Sequence, residues 1–119
     1  MKEADIALAS LPQTVGARKN RPVLILREMP PFGDFLVCGV SSQTHQAVAG
    51  FDEVVRTSDG DFAASGLRCD SVIRLGYLAV MPGQRMMGAL GAIESARHER
   101  LLRNLANHLT AEVPEPPCS

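Results

Sequence analysis

Two stretches of the chain are apolar without alternation. Arg21–Arg27 (RPVLILR) and Phe35–Ser42 (FLVCGVSS) carry aliphatic residues on both parities, the pattern of strands buried on both faces. Pro30-Pro31 and Gly33-Asp34 separate them and mark a turn. Upstream, Asp5–Ser10 (DIALAS) alternates loosely and reads as a short first strand, followed by a loop over Leu11–Asn20 containing Pro12 and Gly16. Downstream, Phe51–Arg56 reads as a short strand or turn, and Thr57–Gly66 as a loop with Ser58-Asp59-Gly60 as its turn signal. Ser71–Leu75 and Leu78–Met81 are two strand pieces around Gly76, closed by Pro82-Gly83; Gln84–Ile93 fits either strand or turn.

The period changes near the end. Leu101, Leu102, Leu105 and Leu109 recur at helical spacing behind Ser95, a good N-cap, and predict an amphipathic helix of about four turns packed on the sheet. Arg97, Arg100 and Arg103 fall mostly on its other faces. A single domain over residues 1–110 and a flexible tail over 111–119 follow. About five short strands and one terminal helix in 119 residues suggest a small twisted barrel or sheet.

The two apolar strands also give a geometric expectation. An antiparallel hairpin centred near residue 31 places Arg21 across from Ser41 or Ser42, with directly opposed Cβ atoms ~5 Å apart. A bulge near the prolines would shift this pairing by a residue or two. A guanidinium beside hydroxyls forms a candidate phosphate or oxyanion site, although a strand-end arginine with serine neighbours also serves structure alone.

Composition narrows the chemistry. One Tyr, four Phe and no Trp leave too few rings for a surface that stacks several bases. A net charge of −1 argues against a sequence-blind nucleic-acid coat. The positive charge is mostly arginine, with a cluster at Arg18, Lys19 and Arg21, whereas Asp52, Glu53, Asp59 and Asp61 read as a solvated acidic loop. Cys38, Cys69 and Cys118 lack paired spacing and read as reduced thiols, with Cys38 buried. His45, His98 and His108 show no metal-ligand spacing, so no metal or other cofactor is expected. The acidic first residues and the lack of a long apolar run predict a cytoplasmic protein with no membrane partner.

The order of motifs is similar to that of the MazF/PemK (Kid) toxins of type II toxin–antitoxin systems. It runs through Asp5-Ile6, Arg21-Pro22-Val23-Leu24-Ile25-Leu26, Val40-Ser41-Ser42-Gln43, Gly66-Leu67, Asp70-Ser71-Val72-Ile73-Arg74-Leu75, Leu78-Ala79-Val80, Gly88-x-x-Gly91 and a closing helix, over roughly residues 4–109. The resemblance implies a mostly β, SH3-like barrel of about five to seven short antiparallel strands with a C-terminal α-helix. It also implies a homodimer, a cognate antitoxin that blocks the site and binds DNA with the toxin, and single-stranded RNA as substrate. The implied activity is metal-independent endoribonuclease cleavage that leaves a 2′,3′-cyclic phosphate and a 5′-hydroxyl.

Carried over by position, the family's arginine before proline is Arg21, a phosphate stabiliser and candidate proton donor, and its strand-end threonine is Ser41. These are the implied catalytic residues; Arg18, Lys19, Ser42 and Arg74 are the implied RNA-binding set. Two departures stand out. Gly16-Ala17-Arg18-Lys19-Asn20 lacks the acid common in the family's first loop, and Arg74-Leu75-Gly76 loses the acid of the PemK branch's Arg-x-Asp. Asp70 is a nearby carboxylate that reads more readily as a turn cap. These losses keep open a non-catalytic member that acts by binding a protein partner, alongside an unrelated β-rich interaction domain.

Overall fold

The computed structural model describes residues 1–11 and 19–112. Six strands form one antiparallel sheet: β1 (Asp5–Leu11), β2 (Lys19–Met29), β3 (Asp34–Ser41), β4 (Glu53–Val55), β5 (Ser71–Met81) and β6 (Met86–Ala92). Their order is β4-β5-β3-β2-β1-β6. Two helices complete the fold, α1 (Phe62–Ser65) and α2 (Ser95–Thr110). Residues 113–119, most of the expected tail, lie outside the described residues, as does the stretch 12–18 of the first loop. Neither helix is long and apolar enough to cross a membrane.

The unbroken apolar runs are explained by two cores, one on each face of the sheet. Leu24 and Leu26 pack with Ile6, Cys38, Ile73 and Leu75 beneath Leu101 and Leu105 of α2. Val23 and Ile25 point the other way, toward Ala7, Ala9, Val37, Met81 and Met86. All four of these β2 side chains are fully buried. Burial of such aliphatic side chains contributes roughly 1.5–3 kcal/mol each.

Strand β5 is longer than expected. The two pieces read from sequence are one strand whose pairing with β3 jumps from Gly39↔Arg74 to Cys38↔Leu78. Leu75, Gly76 and Tyr77 are the extra residues of this bulge, and the Tyr77 ring lies against Gly39, 3.3 Å from where a Cβ would stand. The ambiguous segment 84–93 supplies β6, after a short 3₁₀ turn.

The segment 57–66 is not simply a loop, because it contains α1. This helix is too short to show a period, but Gly66 ends it in the left-handed conformation (φ 75°). Gly66 and Gly91 then bring α1 and β6 into backbone contact. A Cβ on Gly66 would strike the Leu90 carbonyl, and one on Gly91 the Ala64 carbonyl. This seam draws edge strand β6 onto the segment that links β4 to β5 and curls the sheet toward a barrel.

Two expectations at the helix are corrected. Ser95 is not the N-cap; that position is Glu94, whose N–H donates to Asp61 Oδ2 at 3.2 Å. A carboxylate from α1's own N-cap thus anchors the start of α2 from 33 residues away, which also suits the helix dipole. Arg97 is not on a solvent face but buried, and the acids are not all solvated. Its guanidinium donates to both oxygens of Asp61 (2.9 and 3.1 Å), to Asp59 (3.0 Å), to Glu53 (3.2 Å) and to the Val54 carbonyl (3.1 Å). The network clamps α2 to β4 and the α1 segment.

Candidate functional site

A groove of about 380 Å³ opens at the end of the sheet where β2 begins and β3 ends. That volume lies within the ~300–1,000 Å³ typical of ligand sites. Leu8, Pro22 and Val40 give it apolar walls, and Leu67 and Leu90 come from the α1–β6 seam. Arg21, Ser41 and Ser42 supply polar groups on one side, and Arg68, Cys69 and Ser71 on the other.

The register that brings Arg21 to Ser41 is the one read from the hairpin. β2 and β3 pair as Val23↔Gly39, Leu24↔Cys38 and Ile25↔Val37; the ladder ends there, its register continued by two positions points Arg21 toward Ser41, and both residues line the groove. The bulge falls between Ile25 and Arg27, on the turn side of this segment, so it does not disturb the pairing at the groove. Arg21 is exposed and Ser41 half-buried. Ser41 Oγ accepts the Gln43 N–H at 3.1 Å, which fixes the hydroxyl at the strand end and leaves its hydrogen to donate.

The other expected residues are divided. Ser42 lines the same groove. Arg74 does not: it sits opposite Gly39, while Val72 is the β5 residue opposite Ser41. Arg18 and the Lys19 side chain lie outside what is described; the Lys19 backbone opens β2 opposite Leu11. Asp70 is committed to structure, accepting the Thr57 N–H at 2.8 Å and lying 3.7 Å from Arg56.

Sequence reasoning missed Arg68. It follows Gly66-Leu67 directly, in a loop where no periodicity singles out a side chain. Among the described residues the groove lining contains no Asp or Glu, and the undescribed stretch 12–18 carries none either. Donors and hydroxyls therefore dominate, an arrangement suited to an anion. No cluster of His, Cys, Asp or Glu among the described residues has the form of a metal site.

Elsewhere, a shallower cavity of about 320 Å³ is bounded by Val48, Phe51 and the α2 residues Asn104 and His108, and the Phe51 and His108 rings pack at 4.8 Å. Cys38 and Cys69 are free thiols. Burial pushes the Cys38 thiol well above its ordinary pKa, which keeps it protonated and inert.

The fold matches a known class of small β-rich proteins. The sequence profile for PemK-like, MazF-like toxins of type II toxin–antitoxin systems matches residues 2–109, and the chain belongs to that family. Among solved structures it is similar to Mycobacterium tuberculosis toxin MazF-mt6, with 21% identity, 92% of this chain and 99% of that one covered, and a TM-score of 0.64. It is also similar to a mycobacterial endoribonuclease solved in complex with its cognate antitoxin, with 14% identity, 96% and 99% coverage, and a TM-score of 0.66. At these identities the likeness carries the fold. No curated protein sequence matches significantly.

Proposed function

We propose that the chain is a metal-independent endoribonuclease toxin that cuts single-stranded RNA in this groove. The single observation carrying the reading is that Arg21 and Ser41 share one groove whose lining holds cations and hydroxyls and no described carboxylate. The RNA 2′-oxygen attacks the adjacent phosphorus, the P–O5′ bond breaks, and a 2′,3′-cyclic phosphate and a 5′-hydroxyl result. Arg21 stabilises charge on the phosphoryl oxygens as it builds, passes a proton to the leaving oxygen and regains one from solvent, and Ser41 hydrogen-bonds the phosphate through its hydroxyl. With no carboxylate among the described lining residues, solvent hydroxide takes the 2′-hydroxyl proton and becomes water. Preorganised charge of this kind supplies roughly 3–4 kcal/mol per well-placed donor.

The catalytic unit is the domain of residues 1–110, working in the cytoplasm as a homodimer. A cognate antitoxin silences it by covering the groove. Exposed Tyr77, Leu78 and Val80 along β5 are apolar surface of the kind that a second copy covers. The lack of a carboxylate among the described lining residues also favours a second reading, in which the groove binds a partner without cleaving.

Inducible expression with mapping of RNA ends separates the two. The nuclease gives growth arrest and new 5′-hydroxyl ends at a short recurring motif, both lost in Arg21→Ala. Arrest without new ends supports the binding member instead.

A further inference from the structure

We infer that Arg68 is a second phosphate-binding cation of the groove, holding a phosphodiester next to the one that is cut. This rests on the RNA reading above and adds a positioning residue to it.

Arg68 lines the groove from the segment between α1 and β5, whereas Arg21 lines it from the start of β2. The two cations thus come from separate elements and present their charge to one space. Arg68 is exposed, and among the described residues no ion pair or hydrogen bond engages its guanidinium. Arg27, Arg56, Arg97, Arg100 and Arg103 are each paired with a carboxylate. An unpaired guanidinium over a lining with no acid among the described residues is set to take an anion from outside.

Its mount is rigid although its side chain is not engaged. Gly66 is pressed onto the Leu90 carbonyl, the Leu67 N–H donates to Ser65 Oγ at 3.2 Å, and Ser71 Oγ donates to the Cys69 carbonyl at 2.9 Å. Asp70 ties the segment to Thr57. The backbone on either side of Arg68 is thereby fixed, as a binding residue requires. Apolar Leu67 and Leu90 beside it would exclude water from a bound phosphodiester and strengthen the contact. A planar guanidinium pairs with phosphate through two parallel bonds, which an ammonium cannot do.

The test uses the full chain and a random-sequence, 2′-O-methyl RNA decamer pool, which cannot be cleaved and reads the phosphate contacts regardless of motif. Arg68→Gln is expected to weaken binding about 5- to 10-fold at low salt and to reduce the slope of log Kd against log salt by ~0.7, one phosphate's share on a single strand. Arg68→Lys should restore the slope and only part of the affinity. Unaltered thermal melting of both variants shows that the change is not structural. If Arg68→Gln leaves affinity and slope unchanged while Arg21→Ala abolishes cleavage, Arg68 has no such role and the nuclease reading stands. If the native chain neither binds the pool nor cleaves RNA, the nuclease reading itself fails and Arg68 with it.

Discussion

Arg97 and Asp61 meet through two parallel hydrogen bonds of 2.9 and 3.1 Å, 36 positions apart in the chain and almost fully buried. The pair joins the last helix to the α1 segment, and removing either partner strands a charge in a dry place. Arg97→Met is therefore expected to cost about 3–5 kcal/mol. A denaturant titration checks this, and a loss under about 1 kcal/mol would show that water reaches Asp61 freely.

The same contacts predict an acid limit. The Arg97 guanidinium holds the Asp61 carboxyl below the usual carboxylate range, and the Arg56 N–H, followed by Arg97, does the same for Asp59. A group whose folded pKa is depressed contributes its full stabilisation above the ordinary value of 3.8 and loses it as pH falls through the folded value. Thermal melts should be flat from neutral pH to about pH 5 and drop steeply below about pH 4. Asp61→Asn should start lower and fall less. A parallel decline in both proteins would place the acid sensitivity elsewhere.

The glycines of the seam should be far less replaceable than the glycine of the β5 bulge. A Cβ on Gly66 or Gly91 would meet carbonyl oxygens of the main chain, and Gly66 is left-handed as well; a Cβ on Gly76 meets nothing within 4 Å. Gly66→Ala and Gly91→Ala are expected to lose about 2 kcal/mol or more, and Gly76→Ala under about 0.5 kcal/mol. Melting temperatures of the three variants decide it.

If the groove cleaves without a carboxylate base, its rate should follow hydroxide. Turnover is expected to climb by about tenfold per pH unit between roughly pH 6 and 8, whereas a carboxylate base would level off above about pH 5. In the same assay Arg21→Ala should lose ~100-fold or more. Arg74→Gln, outside the groove lining, should lose no more than a few-fold. An early plateau in the pH profile would reveal a base from outside the described lining, such as a second protomer.

What was legible from sequence follows the range of each interaction. Val23–Leu26 had to be buried on both faces whatever the partners, and the short link between β2 and β3 left little freedom in register, so a register that carries Arg21 toward Ser41 or Ser42 could be read in advance. Arg97 could not be read so. On a helix with a leucine stripe an arginine off the stripe looks solvent-bound, and its compensating acids lie 36 to 44 residues earlier. Arg68 was hidden for a related reason. A loop residue gains its meaning from the walls that fold places around it, and the α1–β6 contact that builds those walls depends on glycines, which carry no pattern of their own.

The anchoring of α2 by Asp61 has a bearing on the order of assembly. A helix of 16 residues is marginal alone in water, and this one also carries an arginine whose charge is balanced in the native state by acids on other segments. The residue that precedes its first turn is held by the Asp61 carboxylate at the start of α1, and Arg97 by the same carboxylate. The helix can therefore become stable only after the β4–α1 region is in place, and it should be a late event in folding. Long-range closure of this kind makes for slow, all-or-none acquisition of structure. A peptide spanning residues 94–112 should stay largely coil, and in the whole protein helix and sheet should melt together.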